Sequence, residues 1–575
     1  MKVTYHHEIK SGQKLSIESL IDILMRSRQI TNINAFLHPP SPLSLSLVDF
    51  GYEKEFRKIL QLLKKIREEK KTIVVYTDYD ADGITGGSIL WETLHLLGFS
   101  VMPYVPHRKL EGYGFSIKGI DAVIAKYHPA LIISVDHGIT AAKQIAYAKT
   151  QGIKVIVTDH HLKQEGQVPK ETEAIFHIPQ LSGSGVAYFF AKEIYENLKS
   201  QISNFKLLEY NFTVDYLALA SIGTIADLVP LVGPSRSVVK AGLASFPNVK
   251  RYGLKYILKE AKIIHRPVTP YEVGFIIAPR INAVGRLEHA IDALRLLCTT
   301  NEARALKLAQ QVGLANTKRQ DLVKKAVEEA LAIVEKLKKK GSLPKILILH
   351  SPDWHEGIIG LIASKLVEAY YRPAIVLTEG NGELKGSARS IKAFHITDFF
   401  ASLKKYLLSF GGHRQAGGLT VKKSQLADFI AEATNKASKL IKDSDLEKVI
   451  EVDIKIPVQI VDMRLAREIE KLNPFGIGNP QPSFVSQVEV VGAQLFGKKN
   501  DHLKIIVKSS DTTTLEMIAF NRAADYVSLS RGKKLDIVYN LNINRWNGRE
   551  SLRGRVIELI TSSQQSEYQE DTGRF

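Results

Sequence analysis

Residues 72–77, Thr-Ile-Val-Val-Tyr-Thr, form a β-branched run that delivers Asp78-Tyr79-Asp80-Ala81-Asp82-Gly83 into a glycine-rich helix start. Three carboxylates in five residues repel one another, and such a cluster holds only with cations or ample solvent, so the chemistry implied is that of a hard divalent metal. A calcium loop of the D-x-D-x-D-G kind would need glutamate at its twelfth position and a helix before it. Ile89 stands there, and the preceding run is strand-like. Two further runs end alike: 131–135 leads into Asp136-His137-Gly138, and 154–158 into Asp159-His160-His161. A lone aspartate after a strand is ordinarily a helix cap, and a lone histidine ordinarily structural. Three such ends in one parallel sheet fall side by side, so Asp80, Asp82, Asp136 and His160 can meet although they span about 80 residues. Asp227, in Ile225-Ala226-Asp227-Leu228-Val229-Pro230, closes a helical run at the end where the helix dipole disfavours an acid. A metal gives it a reason to be there.

Carboxylates mixed with imidazole suit Mn²⁺, with Mg²⁺ as the alternative; zinc is disfavoured because the only cysteine is Cys298. Five ligands exceed what one ion uses when it keeps waters. Two ions about 3.5 to 4 Å apart, sharing one carboxylate, is the arrangement that hydrolyses phosphodiesters or phosphoanhydrides. Asp136, from the middle of the set, is the expected bridge.

Arginine's planar fork suits phosphate, which makes Arg108, Arg280, Arg286 and Arg389 candidates for holding a nucleic-acid backbone. Each alone is equally compatible with a surface ion pair. Gly411-Gly412-His413 would let backbone amides approach a phosphate while His413 donates to it, although an ordinary turn has the same composition. Farther on, Phe475, Phe496, Tyr539 and Trp546 interleave with Lys498, Lys499, Lys504, Arg545, Arg549 and Arg553. Bases stack on such rings while cations follow the backbone. Most of these aromatics also read as core, and Trp546, in Asn544-Arg545-Trp546-Asn547-Gly548, is the one expected to be exposed. No G-x-x-x-x-G-K-[ST] loop is present, so ATP is not implied.

The elements that must position these groups fit a chain of 575 residues, which at ~150 per domain gives three to four domains. Hydrophobic residues at 45% and charged residues at 24% are ordinary globular values, so wholesale disorder is excluded. Lys plus Arg number 78 against 60 acids, and the net charge of +18 favours a polyanionic partner, with simple solubility as the alternative. No apolar run approaches the ~18 to 20 residues of a membrane helix, and MKVTYHHEIK lacks an apolar signal core, so a soluble, cytoplasmic protein in a reducing compartment is expected.

Along the chain, residues 1–70 read as a helical lead-in and 71–300 as an α/β lobe with a parallel sheet. A proline-free connector helix follows over 301–340, then a smaller α/β lobe over 341–446. Five or six short strands occupy 447–562, for which a closed barrel of the OB type and a β-sandwich are both compatible. The polar residues 563–575 are expected to be a disordered tail.

Four segments resemble, in order, the motifs of the DHH phosphoesterase superfamily: Asp78 to Gly83, Val135-Asp136-His137-Gly138, Thr158-Asp159-His160-His161 and Gly223-Thr224-Ile225-Ala226-Asp227. Further segments are similar to the RecJ family within it. They are Pro106-His107-Arg108 with Glu111-Gly112-Tyr113-Gly114, Pro279 to Ala283 with Gly285-Arg286-Leu287, and Trp354 to Gly360. Gly386 to Ser390, Gly411-Gly412-His413 and Asn473-Pro474-Phe475-Gly476 complete them. The resemblance covers residues 20–560.

It implies a DHH lobe joined by a long helix to a DHHA1 lobe, followed by an OB domain. The implied activity is a single-stranded-DNA-specific exonuclease that degrades 5′ to 3′ to mononucleotides in DNA repair and recombination. Carried over, Asp80, Asp82, Asp136, His160 and Asp227 are metal ligands and His161 touches the scissile phosphate, with Asp136 and Asp80 also counted as catalytic. Ser387 and Arg389, with Arg108, form a pocket for the 5′-terminal phosphate. A monomer assisted by a single-strand-binding protein and a helicase is expected. Because every one of these metal and end-pocket residues precedes 430, removal of 447–575 is expected to spare the chemistry.

The chain departs from the family pattern twice. Tyr76 stands where some members have a histidine, four residues before the first ligand, so the first metal is expected to be held more weakly or partly by Asp78. His177-Ile178-Pro179 replaces the usual Asn-Pro. The alternatives are a DHH phosphodiesterase of short oligonucleotides or cyclic dinucleotides, which needs no C-terminal barrel, and a non-catalytic single-strand-binding scaffold, which has no reason to keep every ligand.

Overall fold

A computed structural model describes every residue except 1, 11–15, 109, 113, 204, 342, 381, 511, 561–567 and 571–575, and only the backbone of 568–570. Two compact units result, one comprising 3–313 with 451–575, the other 1–2 with 314–450.

The first unit contains a five-stranded parallel sheet in the order Val101–Tyr104, Ile73–Thr77, Leu131–Val135, Lys154–Asp159, Ala174–His177. Parallel neighbours need crossovers; the helices Ala81–Leu96, Ile117–Tyr127 and Ala142–Thr150 supply three, and the loop 160–173 the fourth. Both faces are covered, which explains strands that are apolar along their whole length. Ile73, Val75, Leu131, Ile133 and Ile156 enter one core, while Val74, Tyr76, Ile132, Val155 and Val157 enter another. Register places Thr77, Val135 and Thr158 in a single row. The chain therefore leaves the sheet at Asp78, Asp136 and Asp159 side by side. The two edge strands, absent from the sequence reading, are four residues each, too short to show a period.

The helix Glu302–Lys339 runs 38 residues and passes from the first unit to the second. In the second unit a mixed sheet has the order Leu407–Gly412, Ala416–Lys422, Glu383–Arg389, Ala374–Gly380, Leu347–His350. The last two strands are parallel and flank the helix Ile359–Tyr370; the other pairs are antiparallel. The first three strands escaped the sequence reading because Gly386, Gly411, Gly412, Gly417 and Gly418 depress their β-propensity.

Back in the first unit, Ser483–Phe496 pairs with both His502–Lys508 and Lys534–Trp546, and Thr514–Ala519 with Arg549–Ile560 completes the circuit. This is a closed five-stranded barrel, not a sandwich. Leu503, Ile505, Met517, Ile537 and Tyr539 fill it. Outside the circuit, Val449–Lys455 and then Lys2–Glu8 extend the sheet.

That last strand corrects the helical lead-in. Val3 and Tyr5 alternate inward, a pattern that two histidines and two charges obscure in so short a run. Leu20, Leu24, Met25 and Phe36 from the helices Ile17–Ser27 and Ile33–Leu37 join the barrel core, so this segment belongs with the barrel. Helix Glu53–Glu68 packs instead on the five-stranded parallel sheet through Phe56, Ile59, Leu63 and Ile66. Of the expected disordered tail, the backbone of 568–570 pairs in parallel with Val3–Tyr5, a local departure from that expectation, and 561–567 and 571–575 lie outside the described residues. No described helix is long and apolar enough to cross a membrane.

Candidate metal centre

Each acid is held by the element that delivers it. Asp80 caps the helix Ala81–Leu96, its Oδ1 accepting the N–H of Asp82 at 2.9 Å and of Gly83 at 3.1 Å. Asp82, in the first turn, accepts the N–H of Gly183 at 2.7 Å through Oδ2 and of Ser184 at 2.9 Å through Oδ1. Those donors are the open N-terminus of the helix Gly183–Leu198, a natural partner for a carboxylate. Asp136 adopts the left-handed region at φ 68°, which turns its buried carboxylate back over the strand ends. Gly183 makes room for it: a Cβ there would overlap the Cβ, Cγ and Oδ1 of Asp136.

His160 Nε2 lies 3.2 Å from Asp136 Oδ1, 3.4 Å from Asp227 Oδ2 and 3.9 Å from Asp82 Oδ2. Three groups of donor atoms result, the atoms of each within 4.8 Å of one another: Asp78, Asp80 and Asp136; Asp82, His160 and Asp227; Asp136, His160 and His161. Asp136 and His160 link the three. Asp136 Oδ1 and His160 Nε2 are both buried without a hydrogen bond, the condition expected of atoms meant for a cation.

The electrostatics agree. Burial, then the charges of Asp82 and Asp80, push Asp227 up to about 8. Burial and the surrounding aspartates hold Asp136 well above the usual carboxylate range, and burial with Asp82 raises Asp80. Burial lowers His160, which keeps its imidazole neutral and able to ligate. Oxygen donors with one imidazole fit Mn²⁺ or Mg²⁺. His161 differs: burial would lower it, but the Asp159 carboxylate at 2.8 Å from Nδ1 prevails and brings it to about 9. It is a cation beside the donor groups.

Tyr76 is packed beneath the sheet against Tyr104, Phe115 and His137, away from the acids. Asp78 is the residue that joins Asp80 and Asp136. The altered loop is well tied, since His177 Nε2 donates to the His161 carbonyl at 2.7 Å and its own carbonyl accepts the Tyr52 hydroxyl at 2.6 Å.

The guanidinium of Arg108 lies 5.1 Å over the Tyr79 ring, and the charges of Arg286, Asp78 and Asp80 also act on the Tyr79 hydroxyl. Arg280 donates Nε to Glu260 at 2.7 Å and Nη1 to the Ile276 carbonyl at 2.9 Å, so it serves helix packing. In the second unit Arg389 Nη1 donates to Ser387 Oγ at 3.2 Å and to the Ala388 carbonyl at 2.8 Å. Gly360, near the start of the helix Ile359–Tyr370, faces both: a Cβ would come within 2.9 Å of Ser387 Oγ and 3.2 Å of Arg389 Nη2. The structure thus brings a partly buried guanidinium, a hydroxyl and a helix N-terminus together, groups of the kind that bind anions. His413 is exposed in the hairpin between Leu407–Gly412 and Ala416–Lys422. Trp546 is 72% exposed at its own hairpin tip, while Arg545 is tied to Glu470 and Glu550. Tyr539 is core, its hydroxyl 2.9 Å from Ser486 Oγ.

Sequence reasoning missed Gly183 and Ser184 as donors to Asp82, although Ser182-Gly183-Ser184-Gly185 is a recognisable helix start. It also missed the role of Asn282, whose Oδ1 accepts the Ala81 N–H at 2.7 Å beside Asp80.

Known proteins share this architecture. The chain matches the DHH family N-terminal domain over residues 72–224, the DHHA1 domain over 343–439 and the RecJ OB domain over 452–558. It is 33% identical over 524 residues to the single-stranded-DNA-specific exonuclease RecJ of Bacillus subtilis, covering 89% of this chain and 64% of that protein. With the Haemophilus influenzae RecJ it shares 30% identity over 571 residues, 96% of this chain and 98% of that one. The crystal structure of Thermus thermophilus RecJ with Mn²⁺ superposes with a TM-score of 0.79 at 26% identity, over 97% of this chain and 80% of the other. The same protein with Mg²⁺ gives 0.74, again at 26% identity, over 99% and 79%. With its domain order, its barrel and its relatives in agreement, the chain belongs to the RecJ family of single-stranded-DNA-specific exonucleases.

Proposed function

We propose that this chain hydrolyses single-stranded DNA from the 5′ end, releasing mononucleotides with the help of two divalent ions, Mn²⁺ or Mg²⁺, in DNA repair and recombination. The observation that carries this reading is the pair of donor groups, Asp78–Asp80–Asp136 and Asp82–His160–Asp227, linked where Asp136 meets His160 at 3.2 Å. Two ions supply a nucleophile at neutral pH and stabilise the departing oxygen. Asp80, Asp82, Asp136, His160 and Asp227 would hold them, with Asp78 completing the first group. His161, kept charged and oriented by Asp159, donates to a non-bridging oxygen of the scissile phosphate. A single-strand-binding protein and a helicase would prepare the substrate, and the protein would act as a cytoplasmic monomer.

A path for a strand supports this reading. A cavity of about 810 Å³ lies between the first lobe and the barrel, bordered by Ala226 and Asn282 beside the acids and by Phe475 and Arg555 on the barrel side. On its wall Tyr271 and Phe275 stack with centroids 5.0 Å apart, exposed 54% and 70%. Such rings accept bases without sequence preference. A phosphodiesterase of dinucleotides has no use for such a path, and a scaffold has none for intact donor groups. End-labelled single-stranded and duplex DNA, incubated with and without Mn²⁺, test the proposal. Metal-dependent release of mononucleotides from the 5′ end of the single strand is expected; release from the 3′ end, or without added metal after chelation, would overturn it.

Polarity is assigned to the Ser387–Arg389 pocket, so Arg389→Ala should reduce kcat/KM about tenfold or more on 5′-phosphorylated strands, with a smaller loss on 5′-hydroxyl strands. Equal losses would remove Arg389 from end recognition. Trp546→Ala should weaken binding of long strands by roughly 1 to 3 kcal/mol if a base stacks on the ring. Titrations with strands of increasing length check this, and unchanged affinity at every length would leave Trp546 without a nucleic-acid role.

A further inference from the structure

Asp80 and Asp82 are locked by backbone donors, and Asp136 is wedged beneath Gly183. Asp227 has neither constraint among the described residues; its side chain, 30% exposed, lies 3.4 Å from His160 Nε2 and in one 4.8 Å group with Asp82. Its placement depends on its backbone. The helix Tyr216–Ala226 ends there, and Leu228 is left-handed at φ 60°. Three residues later the chain is fastened to the barrel: the Leu231 N–H donates to the Ile477 carbonyl at 2.7 Å, and Gly476 lies against the Leu231 side chain.

Residues 472–479 of the barrel are in turn gripped by Arg236, at the start of the helix Gly233–Ser245. This guanidinium is fully buried, with no carboxylate partner among the described residues. Its Nε donates to the Phe36 carbonyl at 2.7 Å, Nη1 to Pro474 at 3.2 Å, and Nη2 to Leu472 and Asn473 at 2.9 Å each. It also stacks 3.7 Å over the Phe36 ring. Asn479 shapes the same loop from inside, its Nδ2 donating to the carbonyls of Leu472 at 2.8 Å and Pro474 at 3.0 Å. Desolvating a cation that is met only by carbonyl dipoles is costly, and no lysine reproduces four such bonds.

We infer that the 472–479 loop, clasped by Arg236, is the support that fixes Asp227, which makes Arg236 a positioning residue for the metal group Asp82–His160–Asp227. The barrel then does more than bind strands: its docking is a condition of full metal affinity. This rests on Asp227 being a ligand. It also reverses the expectation that removing 447–575 spares the chemistry, because truncation would release the Asp227 segment.

The test is calorimetric titration of Mn²⁺ into the full-length protein, with thermal melting in parallel, for wild type, Arg236→Met, Arg236→Lys, Asn479→Ala and Asp227→Asn. Arg236→Met and Asn479→Ala should melt cooperatively yet bind one class of Mn²⁺ more weakly by roughly 10- to 100-fold, with Arg236→Lys in between. If Arg236→Met does not fold, Asn479→Ala and Arg236→Lys decide. Folded variants with wild-type Mn²⁺ affinity would overturn the clasp when Asp227→Asn itself weakens binding. Unchanged affinity in Asp227→Asn would instead overturn its assignment as a ligand.

Discussion

Replacing Asp136 by alanine should lower turnover at least about a thousandfold, ~4 kcal/mol of barrier, while the metal-free protein melts no lower than wild type. Asp136 is the only acid that belongs both to the group with Asp78 and Asp80 and to the group with His160 and His161, so its loss disorganises both ends of the centre. Stability moves the other way because this carboxylate is buried among like charges. Asp136 and Asp227 are both raised, so the folded chain holds their protons more tightly than the unfolded chain does. They favour the fold at acid pH, and that contribution is lost as pH climbs past the ordinary carboxylate value of about 4. For Asp227 the loss is complete once pH passes about 8. Deleting Asp136 relieves this repulsion, and it should also abolish most of the rise in melting temperature that Mn²⁺ gives wild type. Turnover and melting, each with and without Mn²⁺, check both halves. Activity within about tenfold of wild type would remove Asp136 from the bridge.

Gly183→Ala is expected to be nearly as damaging, though the residue carries no functional group. A methyl there collides with the Asp136 side chain at its root, where no rotamer change can clear it, and the same residue's N–H holds Asp82 Oδ2 at 2.7 Å. Misplacing either carboxylate by about 1 Å costs on the order of 10²-fold in rate. Overpacking should lower stability by about 1 to 3 kcal/mol. Measured kcat, Mn²⁺ affinity and melting should all fall together; wild-type kcat in a folded Gly183→Ala protein would mean that Asp136 is not confined as described.

The cluster of acids and histidines was legible in the sequence because all of it but Asp227 follows strand ends, where a β-branched run breaks into acids and histidines. Parallel register then aligns Thr77, Val135 and Thr158 without further information. Asp78 was legible only as a substitute for a missing histidine, whereas its membership of the first donor group depends on strand direction: Tyr76 points into the opposite core. What stayed hidden is what depends on contacts distant in sequence. Gly183 shows its role only when placed against Asp136. Arg280 offers the same guanidinium as Arg108, and its pairing with Glu260, twenty residues away, shows only in the folded chain. The glycine-rich strands around Ser387 and Arg389 carry no β signal, and Arg236 reads as an ordinary cation until Phe36 and the 472–474 carbonyls close around it.

Crystals grown with Mn²⁺ and measured at the manganese absorption edge put the central claim to the most direct test. Two anomalous peaks about 3.5 to 4 Å apart are expected, one among Asp78, Asp80 and Asp136 and the other among Asp82, His160 and Asp227, with the Asp136 carboxylate between them. A single peak at full occupancy, or two peaks that do not share Asp136, would contradict the two-ion centre.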